Sequence, residues 1–217
     1  MELGPVEARI VGCLLEKELA TPQQYPLTLN ALVAACNQST NRDPVVDYDD
    51  STVEAALADL KERRLVRFVH PSHGRSALRY RQVLDEVLGL DASDRALVAV
   101  LLLRGPQTAA ELRARTERMA QWESAAEVEA ALVRLSQRTE PLVRQLGRRP
   151  GQKEVRWVQL LSARAEAADD ATSMPAPGPV STPQPGVAEL RDAVDDLRAE
   201  VADLRAELGV LRDSLGG

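Results

Sequence analysis

The residues of this chain whose types could carry chemistry are two histidines, two cysteines, one polar loop and one basic turn. His70 and His73 fall together in His70-Pro71-Ser72-His73-Gly74-Arg75, with no thiol or acidic cluster beside them. A metal site needs three or four ligands, so solvated turn histidines are expected and no metal is assigned. Cys13 and Cys36 form no CxxC pair, and Cys13 sits among apolar residues at helical spacing. Buried, reduced thiols are the expectation. Loop 37–43 has enough amide, hydroxyl and carboxylate groups to hold a ligand. Such residues more often bond their own backbone in caps and Asx turns. No P-loop or dinucleotide glycine pattern occurs. With no catalytic constellation and no cofactor expected, the chain reads as a protein that binds and is not an enzyme.

The basic turn is Gly147-Arg148-Arg149-Pro150-Gly151-Gln152-Lys153, preceded by Arg134, Arg138 and Arg144. It stands out because the 217-residue chain has a net charge of −6. Residues 1–87 hold ten Lys/Arg against thirteen Asp/Glu, and residues 164–217 hold five against eleven. Only residues 88–163, with twelve against nine, are basic. Arg134, Arg138, Arg148, Arg149 and Lys153 are therefore the candidate nucleic-acid contacts, through phosphates rather than bases.

An internal repeat indicates what positions these residues. Val53-Glu54-Ala55-Ala56-Leu57-Ala58-Asp59-Leu60 recurs as Val128-Glu129-Ala130-Ala131-Leu132-Val133-Arg134-Leu135. After each copy come two β-forming runs around a Gly-containing turn, Leu65 to Val69 with Leu78 to Val83, and Leu142 to Leu146 with Val155 to Leu160. Each pair predicts a hairpin. Upstream, Val6, Ile10, Cys13 and Leu14 have helical spacing, as do Leu97, Val100 and Leu101. Each is followed by a breaker and a second helix, expected from Leu27 to Cys36 and from Thr108 to Arg118. Thr108 with Glu111 is a capping box. Helix, helix, helix, hairpin, read twice, predicts a mainly α fold with small β-hairpins, an α+β arrangement of two tandem winged-helix (helix-turn-helix) domains at 1–87 and 88–162. One Phe, two Trp and three Tyr leave the core to Leu, Val, Ala and Ile, which suits small helical modules.

Past Ser162 the composition changes. Residues 163–186, with Met174-Pro175-Ala176-Pro177-Gly178-Pro179 and Thr182-Pro183-Gln184-Pro185-Gly186, predict a disordered linker. Val187, Leu190, Val194, Leu197, Val201, Leu204, Leu208, Leu211 and Leu215 then alternate steps of three and four. Val at the first three a positions and Leu at every d position favour a parallel two-stranded coiled coil over 187–215. Arg205 and Arg212 at e would face Glu200 and Glu207 at g of a second copy, so self-association is expected, with these apolar residues as the dimerisation contacts. The alternative is an amphipathic helix folded back on its own domains. The start, MELGPVEARIVG, lacks a signal peptide's pattern. The apolar run 97–103 is too short to span a bilayer, so a cytoplasmic protein without a membrane partner is expected.

The first half also contains Leu14-Leu15-Glu16-Lys17-Glu18, Thr21-Pro22-Gln23-Gln24-Tyr25-Pro26-Leu27-Thr28-Leu29-Asn30-Ala31-Leu32, and Ala35-Cys36-Asn37-Gln38-Ser39-Thr40-Asn41-Arg42-Asp43-Pro44-Val45. These strings resemble the YceH-like family of bacterial proteins over roughly residues 3–160. The resemblance implies tandem winged-helix domains and no established activity. Thr40 is one residue more than the tight loop it implies. Function must then come from the surface. The leading ends of the third helices, Asp49-Asp50-Ser51-Thr52-Val53-Glu54 and residues 123–129, are acidic. Carboxylates suit a helix N-terminus but repel phosphates, and no Arg, Asn or Gln stands there for base readout. Two expectations stay open. One is a DNA-associated regulator touching phosphates with its second wing; the other is a protein-interaction adaptor that docks through its winged helices.

Overall fold

The computed structural model describes residues 2–70, 77–147 and 154–162. All of them belong to one compact unit, Met1–Met174; the second, Pro175–Gly217, lies outside them. The linker 163–186 and the heptad stripe from Val187 to Leu215 are thus outside the described residues, as are His73, Arg148, Arg149 and Lys153. Within the described residues the chain is mainly helical, with two small antiparallel sheets.

Helix α1 (Pro5–Ala20) starts on a Pro whose missing N–H costs nothing in the first turn. The Glu7 carboxylate accepts the Gly4 N–H at 2.7 Å. The helix stops before Thr21-Pro22, where the Lys17 carbonyl accepts both the N–H and the hydroxyl of Thr21. Strand β1 (Leu27–Thr28) and helix α2 (Leu29–Cys36) follow. The helix expected from Leu27 begins two residues later, because Leu27 and Thr28 pair with Tyr80 and Arg79 and Thr28 caps the helix. Helix α3 (Asp50–Glu62), capped by Asp49, leads into the hairpin of β2 (Val66–Val69) and β3 (Arg79–Gln82). The Phe68 and Tyr80 rings meet edge to face at 4.9 Å. A short helix α4 (Leu84–Leu88), absent from the sequence reading, then ends on Gly89 at φ 60°.

The second half repeats this frame. Helix α5 (Ala92–Arg104) is capped by Asp91 and helix α6 (Ala109–Thr116) by Thr108, with Glu111 closing the expected capping box at 2.9 and 3.1 Å. Helix α7 (Ala125–Ser136) leads into β4 (Val143–Gln145) and β5 (Trp157–Gln159). The agreement reaches single hydrogen bonds. The Gln82 side-chain oxygen accepts the N–H groups of Leu84 and Asp85; Gln159 does the same for Leu161 and Ser162. Val83 N–H donates to the Leu65 carbonyl, and Leu160 N–H to that of Leu142. Gln107 bridges Trp157 where Leu27 meets Tyr80. A backbone N–H cannot be buried unpaired without cost, so the two amides stand where each sheet turns back toward a helix or the chain's next segment.

The halves share one core. Helix α1 is buried without interruption from Ala8 to Leu15, because α5 packs on it in addition to α2 and α3. The approach is close at Gly12, where an added Cβ would come within 2.9 Å of the Leu103 side chain. Ile10, Leu14, Leu57, Leu97, Leu132 and Trp157 belong to the same apolar cluster. Two backbone bonds stitch its rim, Leu3 N–H to the Leu161 carbonyl at 2.7 Å and Asp43 N–H to the Leu103 carbonyl at 2.9 Å. Among the described residues no helix is long and apolar enough to cross a membrane.

Candidate nucleic-acid interface

At the leading end of each third helix one carboxylate is occupied by local donors. Asp49 accepts the Thr52 N–H at 2.7 Å and the Ser51 hydroxyl at 2.9 Å. The Thr52 bond chiefly holds the Asp49 carboxyl below its ordinary range. On α7, Ser124 accepts the Glu127 N–H at 3.2 Å while the Glu127 carboxylate accepts the Glu123 N–H at 2.8 Å. Arg113 of α6 donates to the carbonyls of Trp122 and Glu123. Neither end offers a free donor fork for a base edge.

The candidate phosphate contacts divide into two groups. Arg134 on α7 donates to Asp94 of α5 at 2.7 Å, although its side chain is 58% exposed. Arg138 donates to the Leu88 carbonyl, tying the end of α7 to the chain between the halves. Arg156, at the start of β5, reaches the Pro106 carbonyl at 2.8 Å and Glu111 at 3.1 Å. Arg148, Arg149 and Lys153 lie in sequence between β4 and β5, outside the described residues.

Sequence reading missed a second constellation, in the first half. Arg42 is 6% exposed and lies inside loop 37–43. It donates to the Ala35 carbonyl at 2.9 Å, to Gln38 Oε1 at 2.8 Å, and to both Glu16 carboxylate oxygens at 2.7 and 3.2 Å. Burial alone would lower the guanidinium pKa, but the Glu16 bond and the charges of neighbouring groups together outweigh it and Arg42 is raised. Arg9, also buried, donates to the carbonyls of Cys36 and Pro44. Asn37 exchanges two bonds with the Tyr48 backbone, at 2.8 and 2.9 Å. The loop thus folds around two buried arginines. Arg9 falls next to Ile10 in an apolar helical pattern, and Arg42 follows no period, so nothing in their spacing announces the role.

Cys13 and Cys36 are both free and buried beside this network. The bond to Cys13, together with burial, pushes the Cys36 thiol well above its ordinary range. His70 is exposed at the end of β2. Among the described residues no group of three His, Cys, Asp or Glu side chains could hold a metal.

Comparison with known proteins places these features in context. The family model described as "Protein of unknown function, DUF480" matches residues 3–152 and includes every string on which the resemblance rested. A UPF0502 protein of Geobacter metallireducens is 47% identical over 176 residues, 81% of this chain and 80% of its own. One from Pelobacter propionicus is 45% identical over 197 residues, 89% of each chain. One from Shewanella sp. (strain MR-4) is 40% identical over 216 residues, 90% of this chain and 97% of its own. Shares that large extend beyond Ser162, so similarity to these two reaches into the segment read as linker and coiled coil.

Proposed function

This chain belongs to the DUF480 family, and we propose that it is a non-enzymatic tandem winged-helix protein that associates with DNA phosphates through its second wing. The observation that carries the reading is the order α5, α6, α7, β4, β5, with the Arg-rich turn between the two strands. A winged helix brings such a turn beside the duplex while its helices face a groove. Because Arg134 and Arg138 already bond within the protein, the contact falls to Arg148, Arg149 and Lys153. Binding of this kind is salt-sensitive and indifferent to sequence. The C-terminal heptads serve to pair two copies in a parallel coiled coil, with residues 163–186 as a disordered tether, and the protein works in the cytoplasm.

The test is fluorescence anisotropy of a labelled duplex against the full chain over a salt series. About three phosphate contacts per chain imply roughly a fortyfold loss of affinity between 50 and 200 mM salt. Arg148→Ala/Arg149→Ala should flatten that slope, whereas Arg134→Ala should barely change it. No binding at the lowest salt removes this reading.

A second reading, a protein-interaction adaptor, is favoured by the acidic leading ends of α3 and α7 and by the 37% exposure of Val133 on α7. It is supported if one partner is captured equally before and after nuclease treatment.

A further inference from the structure

We propose that the groove between the end of α1 and the end of α6 is a binding site for a small phosphate-bearing ligand. It encloses about 510 Å³, within the size range of small-molecule sites. It draws walls from α1, loop 38–41, α5, α6 and the turn that follows α6, so both halves build it. Four cations line it, Lys17, Arg104, Arg115 and Arg118, against two carboxylates, Glu16 and Glu117.

Of the two carboxylates, Glu16 is already engaged within the protein. Glu16 is held at 2.7 Å by the buried Arg42, with Lys17 only at 3.5 Å. Arg115 has no lining carboxylate as its partner. Its ion pair is with Glu111 at 3.7 Å, and Glu111 is shared with Arg156 at 3.1 Å. The nitrogen of that pair, Arg115 Nη1, is buried and faces Glu111 beyond hydrogen-bond distance. Arg104 bonds Asn41, a residue held at φ 59°. Burial, then repulsion from Arg115, lowers the Arg104 guanidinium pKa. Arg118 is exposed and makes no ion pair or hydrogen bond among the described residues.

Helix C-termini attract cations in their last turn, and Lys17, Arg104 and Arg115 stand in the last turns of α1, α5 and α6. That attraction places three of the cations. It does not account for Arg118. A phosphate does, because its oxygens accept several donors at once and guanidinium groups match their geometry. Thr21, Gln38 and Thr40 add neutral polar groups to the same walls.

The site does not depend on the second wing and is tested apart from it. The full chain is titrated calorimetrically with inorganic pyrophosphate and, separately, with adenosine monophosphate, in low-chloride buffer. One-site saturation is expected with at least one probe. Arg118→Gln and Arg104→Gln should each weaken it about tenfold. Arg67→Gln, on the surface away from the groove, should leave it unchanged. Arg118 has no structural bond, so its variant keeps the parent melting temperature and separates binding from folding. Arg148→Ala/Arg149→Ala should lower DNA affinity and spare pyrophosphate, so either proposal can fail alone. Absence of saturable heat at millimolar concentrations of both probes overturns the site. So does binding that survives both groove substitutions. If only duplex DNA responds to Arg104→Gln and Arg118→Gln, the groove is part of a DNA footprint and the small-ligand site is overturned.

Discussion

In the first half the guanidinium groups of Arg9 and Arg42 turn inward and hold a loop together, bonded to carbonyls and to Glu16. In the second half Arg134 meets Asp94 at the surface, and the densest cationic segment of the sequence, 148–153, falls between β4 and β5. Yet the hydrogen bonds around Gln82 and Gln159 are nearly superimposable in kind. A duplicated unit keeps the amides that close its backbone, because a lost buried bond is costly wherever it falls. Its charges are free to diverge, since each needs only a partner of its own.

The sharpest way to break this contrast is to remove one arginine from each half. Arg42→Met leaves Glu16 and Gln38 beside an apolar side chain and the Ala35 carbonyl without its donor. Removing one partner of a buried pair costs about 3–5 kcal/mol. Arg134→Ala, at a largely exposed pair, should cost less than about 1 kcal/mol. Urea unfolding of the two variants compares them directly. Equal losses would mean that the two halves treat their charges alike.

The contact between the halves comes next. At Gly12 a Cβ would meet Leu103 at 2.9 Å and Leu102 at 3.2 Å. Gly12→Val should destabilise the protein by about 1–3 kcal/mol through overpacking. A single cooperative transition, shifted as a whole, is expected in thermal unfolding because the core is continuous. Two separated transitions would instead show that the halves melt independently.

Much of this frame was legible beforehand, and the parts that were not share a cause. Hairpins, caps and the two third helices follow from local pattern: alternation in Leu65 to Val69, the Thr108 and Glu111 pair, the repeated Val-Glu-Ala-Ala-Leu string. Partners across the chain do not. Periodicity marked Ile10, Leu14, Leu97 and Leu101 as apolar helix faces, but it cannot say that α1 lies on α5. Arg42 sits in a loop with no period, so its burial depends on Glu16, 26 residues away. Gln82 and Gln159 were visible as matched residues in matched runs; their bonds to the following N–H groups required the turn geometry.

Those two amides give a test of how equal the halves are. Gln82→Ala leaves the N–H groups of Leu84 and Asp85 without their acceptor, and Gln159→Ala does so for Leu161 and Ser162. Each should cost about 1–3 kcal/mol, with the two values close to one another. A loss confined to Gln82 would show that the second sheet tolerates water at this point.

The smallest effect separates α2 from α6. Both are capped by a threonine, but the third helical residue is Ala31 in one and Glu111 in the other. Burial alone would raise the Glu111 carboxyl pKa. The Thr108 N–H and Arg156 outweigh burial and hold it below the ordinary 4.5. A carboxyl depressed in the folded state contributes stability above its unfolded pKa and loses it as pH falls through the folded value. The acid limb of the stability curve should therefore carry a contribution from α6 and none from α2. Glu111→Gln should flatten that limb, while Ala31→Glu should add a capping box and stabilise the protein at neutral pH by about 0.5 kcal/mol. Unfolding at pH 7 and at about pH 2.5 checks both. An Ala31→Glu gain that persists at the acid end would mean the added side chain works by packing rather than by its charge.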